Sequence, residues 1–90
     1  MLERRVVVTN PLGLHARAAA QLVRLAANFK SNIEIRREDT GVSADAKSIL
    51  SVLYVAAGVG VEITITADGI DDETAVNAIY ELFARGFGEI

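Results

Sequence analysis

Val61-Glu62-Ile63-Thr64-Ile65-Thr66 alternates apolar and polar residues without a break. Successive side chains of a strand point to opposite faces, so this segment has one dry face and one wet face. Such a strand needs paired neighbours and an apolar layer over its dry side. Ile33-Glu34-Ile35-Arg36 repeats the alternation, and Val6-Val7-Val8 adds a β-branched run. Arg37-Glu38-Asp39-Thr40-Gly41 reads as a hairpin turn into a short strand near Val42.

The covering layer is written in helical spacing. From Ala16 to Asn28 the chain turns to Ala, Leu, Gln and Arg, with Ala19, Leu22, Val23, Ala26 and Phe29 on one face. Residues 48–57 read as a short, very apolar helix ended by Gly58 or Gly60. Asp68-Gly69 turns the chain, and Asp71-Asp72-Glu73 set negative charge where a helix macrodipole favours it. Ala75, Ala78, Ile79, Leu82 and Phe83 form the stripe of that last helix, with Gly86 as its C-cap. The order is strand, helix, strand, strand, helix, strand, helix. It predicts an α+β open-faced sandwich, a four-stranded antiparallel sheet covered on one face by three helices, with residues 1–90 as one domain.

Composition narrows the chemistry. The 90 residues include no Cys and a single His, so no disulfide, thiolate metal site or metal cofactor is expected. Five aromatics and a net charge of −3 argue against a base-stacking, nucleic-acid-binding sheet. Residues 1–45 carry seven basic and five acidic groups, and residues 46–90 carry two and seven. The only His lies in the cationic half. The apolar run after the charged start is too short for a signal segment, and no window approaches a membrane span, so a cytoplasmic protein with no membrane partner is expected. Nothing in the sequence calls for an oligomer.

Chemistry concentrates where the first loop becomes the first helix, at Gly13-Leu14-His15-Ala16-Arg17. Helix starts usually offer Ser, Thr, Asp or Asn to the orphan backbone N–H groups. Leu14 and His15 are poor caps, so the amides of Ala16, Arg17 and Ala18 lack an obvious acceptor. Bare donors at the positive end of a helix form an anion site, and Arg17 adds a guanidinium suited to phosphate. The dipole and Arg17 both disfavour a protonated imidazole, leaving a neutral ring nitrogen able to attack phosphorus. No second catalytic group is apparent nearby, which suits a carrier rather than an enzyme.

Asn10-Pro11-Leu12-Gly13-Leu14-His15-Ala16-Arg17, followed by Lys47-Ser48-Ile49-Leu50, resembles the histidine-containing phosphocarrier (HPr) family of the phosphoenolpyruvate-dependent phosphotransferase system. The resemblance covers nearly the whole chain. It implies that His15 accepts phosphate on Nδ1 from enzyme I, charged by phosphoenolpyruvate. Phosphate then passes to a histidine of a IIA protein or domain, with Arg17 assisting. Ser48 matches the serine modified by HPr kinase/phosphorylase in part of the family. Physically, either Ser48 or Asp45 could cap the second helix. A phosphate on Ser48 would face the helix dipole while placing charge beside apolar residues.

Ile49, Leu50, Leu53 and Tyr54 cannot all point inward from one short helix, so apolar surface is expected beside His15. By family position, the partner-binding candidates are Leu12, Ala16, Ala20, Gln21, Arg24, Ile49, Leu50 and Leu53. Two departures stand out. Ala18 occupies the usual family proline, keeping an N–H but loosening the first turn. The Arg37–Gly41 hairpin, about two residues longer than in the common sugar-pathway form by comparison with the family pattern, is reminiscent, with Phe83-Ala84-Arg85-Gly86-Phe87, of the nitrogen-related branch. Lys47-Ser48-Ile49 leans instead toward the kinase-regulated kind. Competing readings are a regulatory relay without sugar transport and a protein-binding regulator controlled through Ser48.

Overall fold

The alternating segments pair into one antiparallel sheet. In the computed structural model, which describes residues 1–89, the order along the chain is β1 (Leu2–Val7), α1 (Ala16–Ala26), β2 (Asn32–Arg37), β3 (Ser43–Asp45), α2 (Ile49–Val55), β4 (Glu62–Asp68) and α3 (Asp72–Ala84). A single 3₁₀ turn, Gly86–Gly88, follows α3. The strands lie in the order β1-β4-β2-β3, so β4 is central and β1 and β3 form the edges.

Register explains the layering. Val6 faces Ile63, Ile35 faces both Ile65 and Ala44, and Ile33 faces Ala67, which puts these dry-face residues in the same layer. Ile35, Ile63 and Ile65 are fully buried beneath Leu22 of α1, Val52 of α2, and Ile79 and Phe83 of α3. Burying one such side chain stabilises the fold by about 1.5–3 kcal/mol, so this layer is its main apolar support. The expected open-faced α+β sandwich is what the chain forms.

Several boundaries differ from the sequence reading, each for a physical reason. β1 begins at Leu2 rather than Val6, despite the charges of Arg4 and Arg5. Arg4 sits at the edge, where its guanidinium lies 3.6 Å from the Tyr80 ring centroid and donates to Asn77 Oδ1 at 2.9 Å. α1 stops at Ala26, two residues short of Asn28, and its next residues form tighter turn bonds. β3 begins at Ser43, just past Val42, whose carbonyl closes the hairpin by accepting from Arg37 N at 2.8 Å. β4 runs to Asp68.

α2 ends at neither Gly58 nor Gly60 but at Ala56, a non-glycine residue with φ +52°. Arg37 accounts for that ending. Its Nη1 donates to the carbonyls of Val55 and Ala56 at 3.2 and 3.0 Å, covering helix-terminal acceptors with a cation. Its other guanidinium nitrogens, Nε and Nη2, hold Asp39 at 2.7 and 3.1 Å, so the hairpin and the end of α2 are tied by one side chain. At α3, Arg85 is the C-cap and Gly86 follows at φ +62°. Val76, absent from the expected stripe, is buried there, while Ala78 is only half-buried.

Candidate phosphoryl-carrier site

His15 is the N-cap of α1, in extended backbone, and its side chain makes no capping bond. Its carbonyl accepts the first helical bond from Ala19 N at 2.8 Å. The amides of Ala16, Arg17 and Ala18 have no acceptor among the described residues. The first turn also holds no acidic residue. These three bare donors lie at the positive end of the α1 dipole.

The loop before His15 is held from two sides. Leu14 is buried, and its N–H donates to Ala57 O at 2.9 Å. Buried Asn10 donates from Nδ2 to Gly13 O at 2.7 Å. Gly13 has φ +65°, and a Cβ there would lie 2.4 Å from Ala57 O. The close approach that requires glycine is therefore to the backbone after α2, rather than to a ligand. Through this contact the end of α2 sets the position of the α1 start.

The imidazole is half-buried, with 26% of its side-chain surface exposed. It opens into a groove of about 840 Å³ lined by Pro11, Leu12, Arg17, Gln21 and the segment Phe87–Glu89. Arg17 is exposed, and among the described residues its guanidinium makes no hydrogen bond or ion pair. Two charges of opposite sign therefore stand beside the ring. The second is Glu89, whose Oε2 is hydrogen-bonded to His15 Nε2. Asn10 Nδ2 also donates to that oxygen at 3.3 Å. The imidazole bond, helped by Asn10 and opposed by partial desolvation, holds the Glu89 carboxyl below the usual carboxylate range.

Glu89 corrects the expectation that no second group stands near His15. The residues are 74 positions apart, and no local spacing could have joined them. The one usable signal was the glycine pair around Phe87, which marks a sharp turn ending beside a lone carboxylate.

A family model described as the PTS HPr component phosphorylation site matches residues 2–85. Phosphocarrier protein HPr of Cupriavidus necator is 46% identical over 99% of this chain and 98% of its own length. Phosphocarrier protein NPr of Proteus mirabilis is 41% identical over 96% of this chain and 94% of its own. A crystal structure of HPr-C-His from Thermoanaerobacter tengcongensis matches with a TM-score of 0.92 at 33% identity, covering all of this chain and 99% of that one.

The chain belongs to the PTS HPr family. HPr proteins are phosphocarriers of the phosphotransferase system rather than catalysts. The docking candidates taken from HPr positions separate in the structure. Leu12 and Leu50 are 69% and 78% exposed, and Ala16, Arg24 and Ile49 also reach solvent. Ala20 and Gln21 are half-buried, and Leu53 packs partly against the core. Tyr54, 78% exposed, adds to the apolar surface on α2. Ser48 is half-buried and is the α2 N-cap, its Oγ accepting from Ser51 N at a long 3.5 Å. Asp45 instead accepts from Lys47 N at 2.9 Å. Ala18, in place of the HPr proline, is fully buried. Among the described residues no helix is long and apolar enough to cross a membrane, and no three His, Cys, Asp or Glu side chains gather as metal ligands.

Proposed function

We propose that this chain is a cytoplasmic carrier that takes a phosphoryl group on His15 from phosphoenolpyruvate-charged enzyme I and passes it to a histidine of a IIA protein or domain. One observation carries the reading: the half-buried imidazole sits over three first-turn amides that have no acceptor among the described residues. His15 Nε2 is engaged by Glu89, so Nδ1 is the nitrogen left to attack. Its lone pair forms the N–P bond while the donor's bond to phosphorus breaks, the electron pair staying with the donor. The arriving oxygens meet the amides of Ala16, Arg17 and Ala18 and the Arg17 guanidinium, all built before the charge arrives. Transfer onward reverses the step. Exposed Leu12, Ile49, Leu50 and Tyr54 form the apolar part of the docking face, and Arg24 adds a charged rim.

A regulatory role for Ser48 is the second reading. Its half-buried hydroxyl stands at a helix start beside exposed Ile49 and Leu50, so HPr kinase/phosphorylase would add charge to the docking face itself. Incubation with phosphoenolpyruvate and a cognate enzyme I tests the carrier role, and incubation with ATP and the kinase tests Ser48, each followed by intact mass. One acid-labile, alkali-stable phosphate is expected, and it is absent from His15→Ala. With ATP and the kinase, an acid-stable phosphate is expected, and it is absent from Ser48→Ala. An unchanged mass with active enzyme I defeats the carrier reading. Signalling that persists in His15→Ala and is lost in Ser48→Ala would make the chain a Ser48-controlled regulator.

A further inference from the structure

The family match ends at residue 85, yet the side chain that engages the imidazole lies beyond it. We propose that Glu89 is a positioning residue for phosphoryl transfer, holding the proton of His15 on Nε2 and balancing the ring charge while Nδ1 carries phosphorus. This rests on the carrier reading of His15.

An ionised carboxylate can only accept a hydrogen bond, so the neutral ring beside it carries its proton on Nε2 and its lone pair on Nδ1. The two nitrogens lie on different sides of the ring, so Glu89 orients it without covering the reacting atom. When that lone pair forms the N–P bond, the ring keeps its Nε2 proton and becomes cationic. The donor retains the electron pair of its broken bond, and no proton need move. The same carboxylate then faces a positive ring, the role an orienting acid has beside a catalytic histidine.

The chain is built to deliver this group. Gly86, Phe87 and Gly88 take φ of +62°, +55° and +77°, turning the segment after α3 back across the groove. Phe87 is the exceptional one, because a left-handed phenylalanine persists only where its surroundings over-determine it. Its ring is buried, meeting Phe83 edge-on with centroids 4.9 Å apart. Gln21 Nε2 donates to its carbonyl at 3.2 Å. Asn10, wholly buried, then fixes the carboxylate itself. Arg17 lines the same groove but makes no ion pair with Glu89. The carboxylate is committed to the ring.

The test compares the whole protein with Glu89→Ala and Glu89→Gln. Two-bond ¹H–¹⁵N spectra of the His15 ring need no partner protein. In the wild type they should show a protonated Nε2 and an unprotonated Nδ1, and in Glu89→Ala both nitrogens should move toward tautomer-averaged positions. With enzyme I and phosphoenolpyruvate, kcat for phosphorylation of Glu89→Ala should fall about tenfold with KM for enzyme I unchanged. Glu89→Gln, which keeps size and an acceptor but not charge, should fall between. Identical ring shifts in wild type and Glu89→Ala overturn the proposal. So does a wild-type kcat in either variant. If the wild type itself takes no phosphate while the ring shifts respond to Glu89→Ala, the carrier reading fails and the transfer role falls with it, leaving only the ring contact.

Discussion

The starts of α1 and α2 are built on one plan and finished differently. Each N-cap is in extended backbone, His15 at φ −77° and Ser48 at φ −115°, and neither first turn carries an acid. Ser48 turns its own oxygen onto Ser51 N; His15 turns its ring away to Glu89 and caps nothing. A missing cap costs about 0.5–2 kcal/mol. The first helix therefore forgoes stability at a place where a phosphoryl group beside His15 would find free donors. The second is closed by the oxygen that a kinase would modify. A bare helix start is suited to an anion that comes and goes, and a self-capped one to a lasting covalent mark.

The largest test of this contrast concerns how the α1 start is held open. Gly13→Ala forces a left-handed alanine and drives Cβ to 2.4 Å from Ala57 O. We expect a loss of about 3 kcal/mol in urea unfolding, from strain and displaced backbone together. Gly58→Ala is the control, because a Cβ there meets nothing within 4 Å, and it should stay within about 0.5 kcal/mol of the wild type. Equal losses would mean that the Ala57 contact does not position the site.

A smaller effect is expected at the third helix start, which sharpens the contrast. Asp71 is the α3 N-cap and by chemistry as good a capping residue as Ser48, yet its side chain caps nothing. It accepts instead from Lys30 N and Ser31 N, each at 2.9 Å, and from Ser31 Oγ at 2.5 Å. The Ser31 hydroxyl first, then these amides, hold its carboxyl down at about 2, against an ordinary 3.8. A depressed carboxyl stabilises the fold fully above its unfolded value and loses that effect as pH falls through the folded one. The stability gap between wild type and Asp71→Asn should thus be level above pH 3.8 and close as pH falls toward 2. A gap unchanged across that range in acid-titrated urea melts would show that charge is not what Asp71 supplies.

Much of this was legible because it is local or periodic. Alternation at Ile33–Arg36 and Val61–Thr66 gave the dry face, and helical spacing gave the layer over it. The bare start at His15 followed from the absence of a capping residue, and the exposed Leu50 and Tyr54 from a helix too short to bury four large side chains. What could not be read depends on side chains reaching across the chain. Arg37 ends α2 from 18 and 19 residues away, which lets Ala56 take a conformation normally left to glycine. Asp71 serves a turn 40 residues earlier. Glu89 reaches His15 only through a left-handed Phe87, a conformation no propensity would assign. Which neighbour comes close to Gly13 was equally hidden, because a left-handed glycine looks the same in sequence whether backbone or ligand approaches it, and here it is Ala57 O.

The smallest expected effect tests the capping argument itself. His15→Ser and His15→Ala lose the Glu89 contact alike, so their difference isolates the missing cap. The extended backbone at position 15 already suits a serine N-cap. His15→Ser should exceed His15→Ala by about 1 kcal/mol, or roughly 4–8 °C in Tm for a domain of this size. Ser48→Ala should lose less, toward about 0.5 kcal/mol, because its 3.5 Å bond to Ser51 N is long. The two measurements bind each other. If His15→Ser gains nothing over His15→Ala while Ser48→Ala loses stability, the α1 amides already have satisfactory partners in water, and an arriving phosphate would have to displace them. If serine gains as expected, the histidine stands where stability alone would have put a hydroxyl, and the open donors are retained for the transferred group.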